Sequence, residues 1–157
     1  MPSRRNSIEL SAEETRSYLD SRKTLIIVSN GKDGYPHTTP MWFAVNDDGT
    51  IDCTTFGKSQ KVLNYQRDPK ATLLVESGTE YTQLKGVMIY AHTDIIADTT
   101  QVTDVLVKIN SRGQTLSTAA AQQLRGAVSK TAAKRVVLRF LPMKYVSWDH
   151  AKLGGVY

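Results

Sequence analysis

The sequence predicts a mainly-β domain: a closed or partly closed antiparallel barrel with flanking helices. Three observations carry that reading. About six or seven short apolar or β-branched runs follow one another in hairpin order. Tight-turn chemistry separates the early ones, at Asn30-Gly31-Lys32-Asp33-Gly34 and Asn46-Asp47-Asp48-Gly49. Helical patterns occur only at the start, between strands and near the end.

In chain order, Ser11-Ala12-Glu13-Glu14 is a capping box opening a helix that runs to about Asp20. Residues 24–29 form a continuous β-branched run, read as a strand buried on both faces. Residues 35–45 are its return strand, interrupted by Pro36 and Pro40. Two prolines imply an edge, a bulge, or backbone that faces a ligand. Residues 50–56 form a strand with Ile51, Cys53 and Thr55 on one face and Asp52, Thr54 and Phe56 on the other. Residues 58–66 read as a short helix stopped by Arg67-Asp68-Pro69. Residues 71–76 and 84–97 are the next strands, the second long enough to bend. Asp98 caps a helix whose Val102, Val105, Leu106 and Ile109 follow helical spacing. A polar, Ala-rich helix is expected over 117–133, then two short β runs over 135–148, bent at Pro142. With 157 residues and no repeats, the expectation is one domain, 1–157.

Composition narrows the function. A hydrophobic fraction of 40% with 22% charged residues suits a folded globule. No apolar run approaches the ~18 residues of a membrane span, and residues 1–10 lack a signal-peptide pattern, so a cytoplasmic location is expected. Cys53 is the one cysteine, which excludes an internal disulfide and a cysteine metal cluster. The net charge of +5 is uneven: residues 1–100 carry 11 basic and 13 acidic side chains, residues 101–157 carry 9 and 2. Uniform basicity would suggest nucleic acid. A basic C-terminal third on a mildly acidic body suggests a local site for an anion.

His37, His92 and His150 are far apart in sequence, with no second imidazole or thiol at ligand spacing, so no metal site is expected. No nucleophile elbow, dinucleotide fingerprint or P-loop is present. The informative stretch is Thr54-Thr55-Phe56-Gly57-Lys58-Ser59-Gln60-Lys61-Val62-Leu63-Asn64: hydroxyls at a strand end, a glycine turn, and a helix start bearing a serine and two lysines. Free amides and the positive dipole end of a helix suit a phosphate. Two readings stand: a phosphate cradle, or a helix that Ser59 merely caps while Lys58 and Lys61 are solvated on one face. In Pro36-His37-Thr38-Thr39-Pro40-Met41-Trp42-Phe43, backbone freed by the prolines suits a flat heteroaromatic ring; the alternative is a plain edge strand.

Taken together, these segments resemble the pyridoxamine 5'-phosphate oxidase-like split-barrel flavoproteins. They are most similar to the actinobacterial flavin/deazaflavin-dependent oxidoreductases of the B type. The resemblance covers about residues 10–97 and resumes over Phe140-Leu141-Pro142-Met143-Lys144-Tyr145-Val146-Ser147-Trp148-Asp149-His150. It implies a six-stranded antiparallel split β-barrel that dimerises, with the cofactor in a cleft at the subunit interface. It assigns Thr54, Ser59, Lys61 and Asn64 to phosphate binding, with Lys58 beside Ser59 where many relatives have arginine. His37, Thr38, Thr39, Pro40 and Met41 would lie along the ring, and Tyr81 near the cofactor; Trp148 reads equally as pocket lining or core.

The activity so implied is hydride transfer from reduced coenzyme F-420 to an electron-poor small molecule. FMN is the alternative cofactor, and a non-catalytic flavin-type carrier is the alternative role. The hydride chemistry belongs to the cofactor. His37 and Tyr81 are chemically able to donate a proton, though nothing in the sequence fixes either in that role. A nucleic-acid partner lacks a motif. In a dimer, Arg135, Arg139 and Lys144 would face the anionic tail that F-420 has and FMN lacks.

Overall fold

The computed structural model describes residues 4–112 and 114–155. Its helices are α1 (Arg4–Ile8), α2 (Ala12–Ser21), α3 (Gln60–Arg67), α4 (Thr99–Asn110) and α5 (Thr118–Ala132). Its strands are β1 (Thr24–Asn30), β2 (Pro36–Trp42), β3 (Ala44–Val45), β4 (Ile51–Phe56), β5 (Lys70–Ser77), β6 (Lys85–Ile96) and β7 (Arg135–Asp149). The strands form one antiparallel sheet in the order β2-β1-β5-β6-β7-β4-β3. The sheet curls into a split barrel.

Seven strands are present among the described residues, not the expected six, because the stretch after Pro36 divides at Phe43. The Phe43 side chain is fully buried and its N–H donates to the Lys23 carbonyl at 3.3 Å. There the chain crosses from β2, at one edge of the sheet, to the two-residue β3 at the other. The prolines accordingly lie in an edge strand, where a missing donor is tolerated.

Curling gives most strands one buried face. Along β1 buried and partly exposed residues alternate, so the strand expected to be buried on both sides is covered on one only. The barrel interior holds Leu25, Ile27, Ile51, Cys53, Leu73, Ile89, Leu138 and Phe140, with Val62 and Tyr65 of α3 packed into it. A second layer, α4 with α5, covers the opposite face of β3, β4 and β7 through Val102, Leu106, Ile109, Ala132, Ala44 and Val137. Burying both faces removes the β4 segment Ile51–Thr55 almost entirely from water.

The ends of the helices follow local chemistry. The Ser11–Glu14 capping box closes reciprocally, at 3.1 and 2.7 Å, and Asp98 and Ser117 cap α4 and α5. The short α1 carries no sequence signal that anticipates it. The final β segment is one 15-residue strand rather than two runs. Tyr90 pairs with Lys144 and Ala91 with Pro142, so Met143 is an extra residue: a bulge absorbs Pro142 without ending the ladder.

Candidate functional site

Strand β4 ends in Thr55 and Phe56, Gly57-Lys58 turns, and α3 begins at Gln60 with Ser59 at its N-cap. Ser59 occupies the capping position yet makes no side-chain capping bond. Its hydroxyl instead lies 3.3 Å from that of Thr55. Lys61 Nζ donates to the same Thr55 hydroxyl at 3.4 Å. Burial lowers the Lys61 ammonium below its ordinary pKa. The cluster is thus two hydroxyls and a partly desolvated ammonium at a helix N-terminus, chemistry that receives an oxyanion.

Not all expected cradle residues meet there. Thr54 pairs with Val137 and faces the α4–α5 layer, so the strand contributes Thr55 instead. Parity decides this: Thr55 shares the face of Cys53 and Ile51, which is the barrel face. Lys58 lies in the turn before the helix and is exposed, rather than beside Lys61 on a helical face. Asn64 is fully buried and occupied, donating to Ser29 Oγ at 2.9 Å and accepting from Gln60 Nε2 at 2.9 Å. Its role in this chain is to fix α3 against β1. Tyr65 adds a second tie, donating to the Val28 carbonyl at 3.2 Å.

Gln60 and Asn64, on that same side of α3, border a cavity of about 620 Å³ shared with the β1–β2 hairpin, whose other wall includes Gly31, Tyr35 and His37. Gly31 is required there: a Cβ on it would lie 2.3 Å from the Tyr35 carbonyl oxygen. His37, Thr39 and Met41 turn to the partly buried side of β2, with the Thr39 hydroxyl 3.4 Å from His37 Nδ1. Thr38 and Pro40 turn outward with Pro36. Of those three outward residues, Thr38 alone carries an N–H.

Tyr81 is not brought to this cluster. It lies in a 3-10 turn after β5, a strand that starts beside α3 and runs away from it for eight residues, about 25 Å. Its ring packs on His150 at 4.5 Å between centroids. Trp148 is packing: its ring lies over Gly86, where an added Cβ would sit 2.3 Å from it.

The C-terminal cations divide. Arg139 forms a bidentate pair with the fully buried Asp52, 2.9 Å on both arms, and Asp52 raises its pKa. Lys144 pairs with Tyr90 in the β6–β7 ladder. Arg135 adjoins this cluster: it is the register partner of Phe56, its guanidinium carbon is 4.4 Å from that ring's centroid, and its buried Nε has no hydrogen-bond partner among the described residues. Lys134 is beside it, its carbonyl accepting from the Gly57 N–H at 3.0 Å. The sequence signals the cations but not their division, since Arg139 is paired by a residue 87 positions away.

Comparison with known proteins bears on this geometry. The sequence pattern of the family described as pyridoxamine 5'-phosphate oxidase matches residues 11–149. A conserved hypothetical protein from Mycobacterium tuberculosis superposes with a TM-score of 0.87 at 34% identity, covering 98% of this chain and 93% of its own. An F420 reductase aligns with a TM-score of 0.62 at 21% identity, over 83% of this chain and 94% of its own. A putative pyridoxamine 5'-phosphate oxidase from Listeria innocua gives 0.60 at 15% identity, over 86% and 95%. The last two are likenesses of fold. No curated protein matches the chain.

Proposed function

We propose that this chain, which belongs to the pyridoxamine 5'-phosphate oxidase family, is an oxidoreductase transferring hydride from reduced coenzyme F-420 to an electron-poor small-molecule acceptor. The observation that carries the reading is the cluster of Thr55, Ser59 and Lys61, with Lys58, Lys134 and Arg135 around it. Every side chain named there is a hydrogen-bond donor or a cation. Ser59 leaves its hydroxyl uncommitted to the helix, and Lys61 has given up part of its hydration, so an arriving phosphate gains more from it than from a solvated lysine. The residues fit a phosphate-bearing cofactor.

When bound, the reduced deazaflavin supplies the hydride. The protein's part is to bind and orient: Thr55, Ser59 and Lys61 would take the phosphate, and the β2 segment His37–Met41 would flank the ring. Arg135 extends the positive surface past the phosphate, which supports a cofactor with an anionic tail. FMN stays the alternative, because Thr55, Ser59 and Lys61 alone suffice for its phosphate.

The reading includes a homodimer. The cross-strand registers line up Pro40, Ile26, Leu74, Met88 and Val146 in one row across five strands, on the face turned away from the barrel interior. These side chains are partly or fully exposed in the isolated chain. An apolar row of that width supports a partner copy, with the cofactor cleft at the junction.

Titration of the purified protein with F-420, FMN and FAD, followed by fluorescence polarisation, tests the assignment. F-420 is expected to bind most tightly; absence of binding by all three at micromolar concentrations would overturn it. Lys61→Ala should weaken binding by about 1.5–3 kcal/mol, the worth of a hydrogen bond to a charged group. Turnover of reduced F-420 with an added acceptor separates an enzyme from a carrier.

A further inference from the structure

We propose that a cavity beneath α2, remote from the cradle, binds a small amphipathic amine: an apolar body with one ammonium group. The cavity measures about 540 Å³, within the range of small-molecule sites. Its floor is apolar: Leu19 and Val45 are buried and Leu10 packs on the core beside them. Asp47 and Asp48 of the β3–β4 turn and Glu9 before α2 line it as well.

The availability of these charges points to a cation. Asp48 is committed, accepting from the Thr50 amide at 3.0 Å and hydroxyl at 2.7 Å. The carboxylates of Asp47 and Glu9 have no ion-pair or hydrogen-bond partner among the described residues. The one cation lining the cavity, Arg16, is taken: its Nε is 2.7 Å from Asp20 and its terminal nitrogen donates to the Asn46 carbonyl at 2.9 Å. A chain of net charge +5 therefore holds a pocket whose two uncommitted charges are negative. Tyr145 adds a half-exposed aromatic wall that suits an ammonium or its apolar body, and burial raises its hydroxyl pKa, so it stays neutral at physiological pH. Gly49 precedes β4 and the cradle follows it, so the two sites are separated by a six-residue strand, about 20 Å. The inference does not depend on the identity of the cofactor.

Calorimetric titration of the full chain with phenethylamine, 2-phenylethanol and phenylacetate at low salt tests it. The amine is expected to bind at least tenfold more tightly than either analogue. Asp47→Asn combined with Glu9→Gln should weaken amine binding at least fivefold. Ala12→Trp, on the exposed first turn of α2, should fill the mouth and abolish the heat. In both variants F-420 or FMN binding and the thermal melt should be unchanged. Equal binding of the neutral or anionic analogue, or amine affinity unaffected by both variants, would overturn the proposal. If Ala12→Trp instead changes the sedimentation of the protein, the cavity belongs to a contact between copies, and the amine site is likewise overturned.

Discussion

Lys61 is the residue on which the proposed phosphate cradle turns, and its environment makes a pH dependence. Burial holds its pKa below the ordinary 10.5, so the ammonium needed by an anion is lost sooner as pH rises. In the unliganded protein the same depression means that the unfolded chain binds the proton more strongly, so this group adds stability as pH climbs from its folded pKa toward 10.5. Anion affinity should run the other way, falling on the alkaline side before an ordinary lysine would deprotonate. Polarisation titrations at stepped pH check this, and Lys61→Arg should flatten the fall. Arg139 illustrates the opposite case, a cation consumed by structure. Arg139→Ala leaves the Asp52 carboxylate buried with, among the described residues, only the Asn46 side chain to donate to it, at 2.9 Å. Loss of about 3 kcal/mol is expected in denaturant unfolding, the lower end for a broken buried pair because the arginine is partly exposed. Single residues were unevenly legible. Lys61 and Ser59 stand out as charge and hydroxyl at a helix start, whereas choosing between Thr54 and Thr55 requires the strand's parity. The fate of Arg139 depends on a partner that only the sheet brings near.

At the scale of elements, local chemistry was the more legible. Capping residues, Asn-Gly and Asp-Gly turns and the prolines of β2 mark boundaries to within a few residues, because caps and turns are settled by neighbours in sequence. The joins decided by packing were not. Whether Pro142 ends a strand or is carried by a bulge depends on the β6 ladder opposite, and the crossing at Phe43 depends on a core pocket for its ring. Gly86 is a comparable case, a glycine in a strand interior kept for a neighbour's ring. Gly86→Ala should destabilise by about 1–3 kcal/mol through overpacking against Trp148. Thermal melts of Gly86→Ala, Trp148→Leu and the double variant should show non-additivity, with the second change recovering part of the loss from the first. Strict additivity would mean that the ring moves aside without cost.

For the whole molecule, the charge asymmetry becomes spatial. Lys134, in the turn before β7, and Arg135, the first residue of β7, are stitched to the Gly57 turn and so reach the proposed cradle, which is built from the acidic first hundred residues. The apolar row on the outer sheet face is the other property of that scale. In the proposed homodimer, Leu74→Arg at its centre is expected to give a monomer in sedimentation velocity and to weaken cofactor binding at least tenfold. A dimer that survives this change would place the contact elsewhere.

The crossing at Phe43 has a consequence for solubility. Exposed strand edges invite pairing with other molecules, and proteins protect them by closure or by cover. Here the two edges of the sheet, β2 and β3, are joined by a single residue, and β2 lies against β4. The β3 edge is covered by α2 and α4, while Pro36 and Pro40 remove two donors from the more exposed β2 edge. A ligand lodged along β2 would complete the cover, so the loaded protein should resist aggregation on mild heating longer than the empty one, apart from any gain in thermodynamic stability.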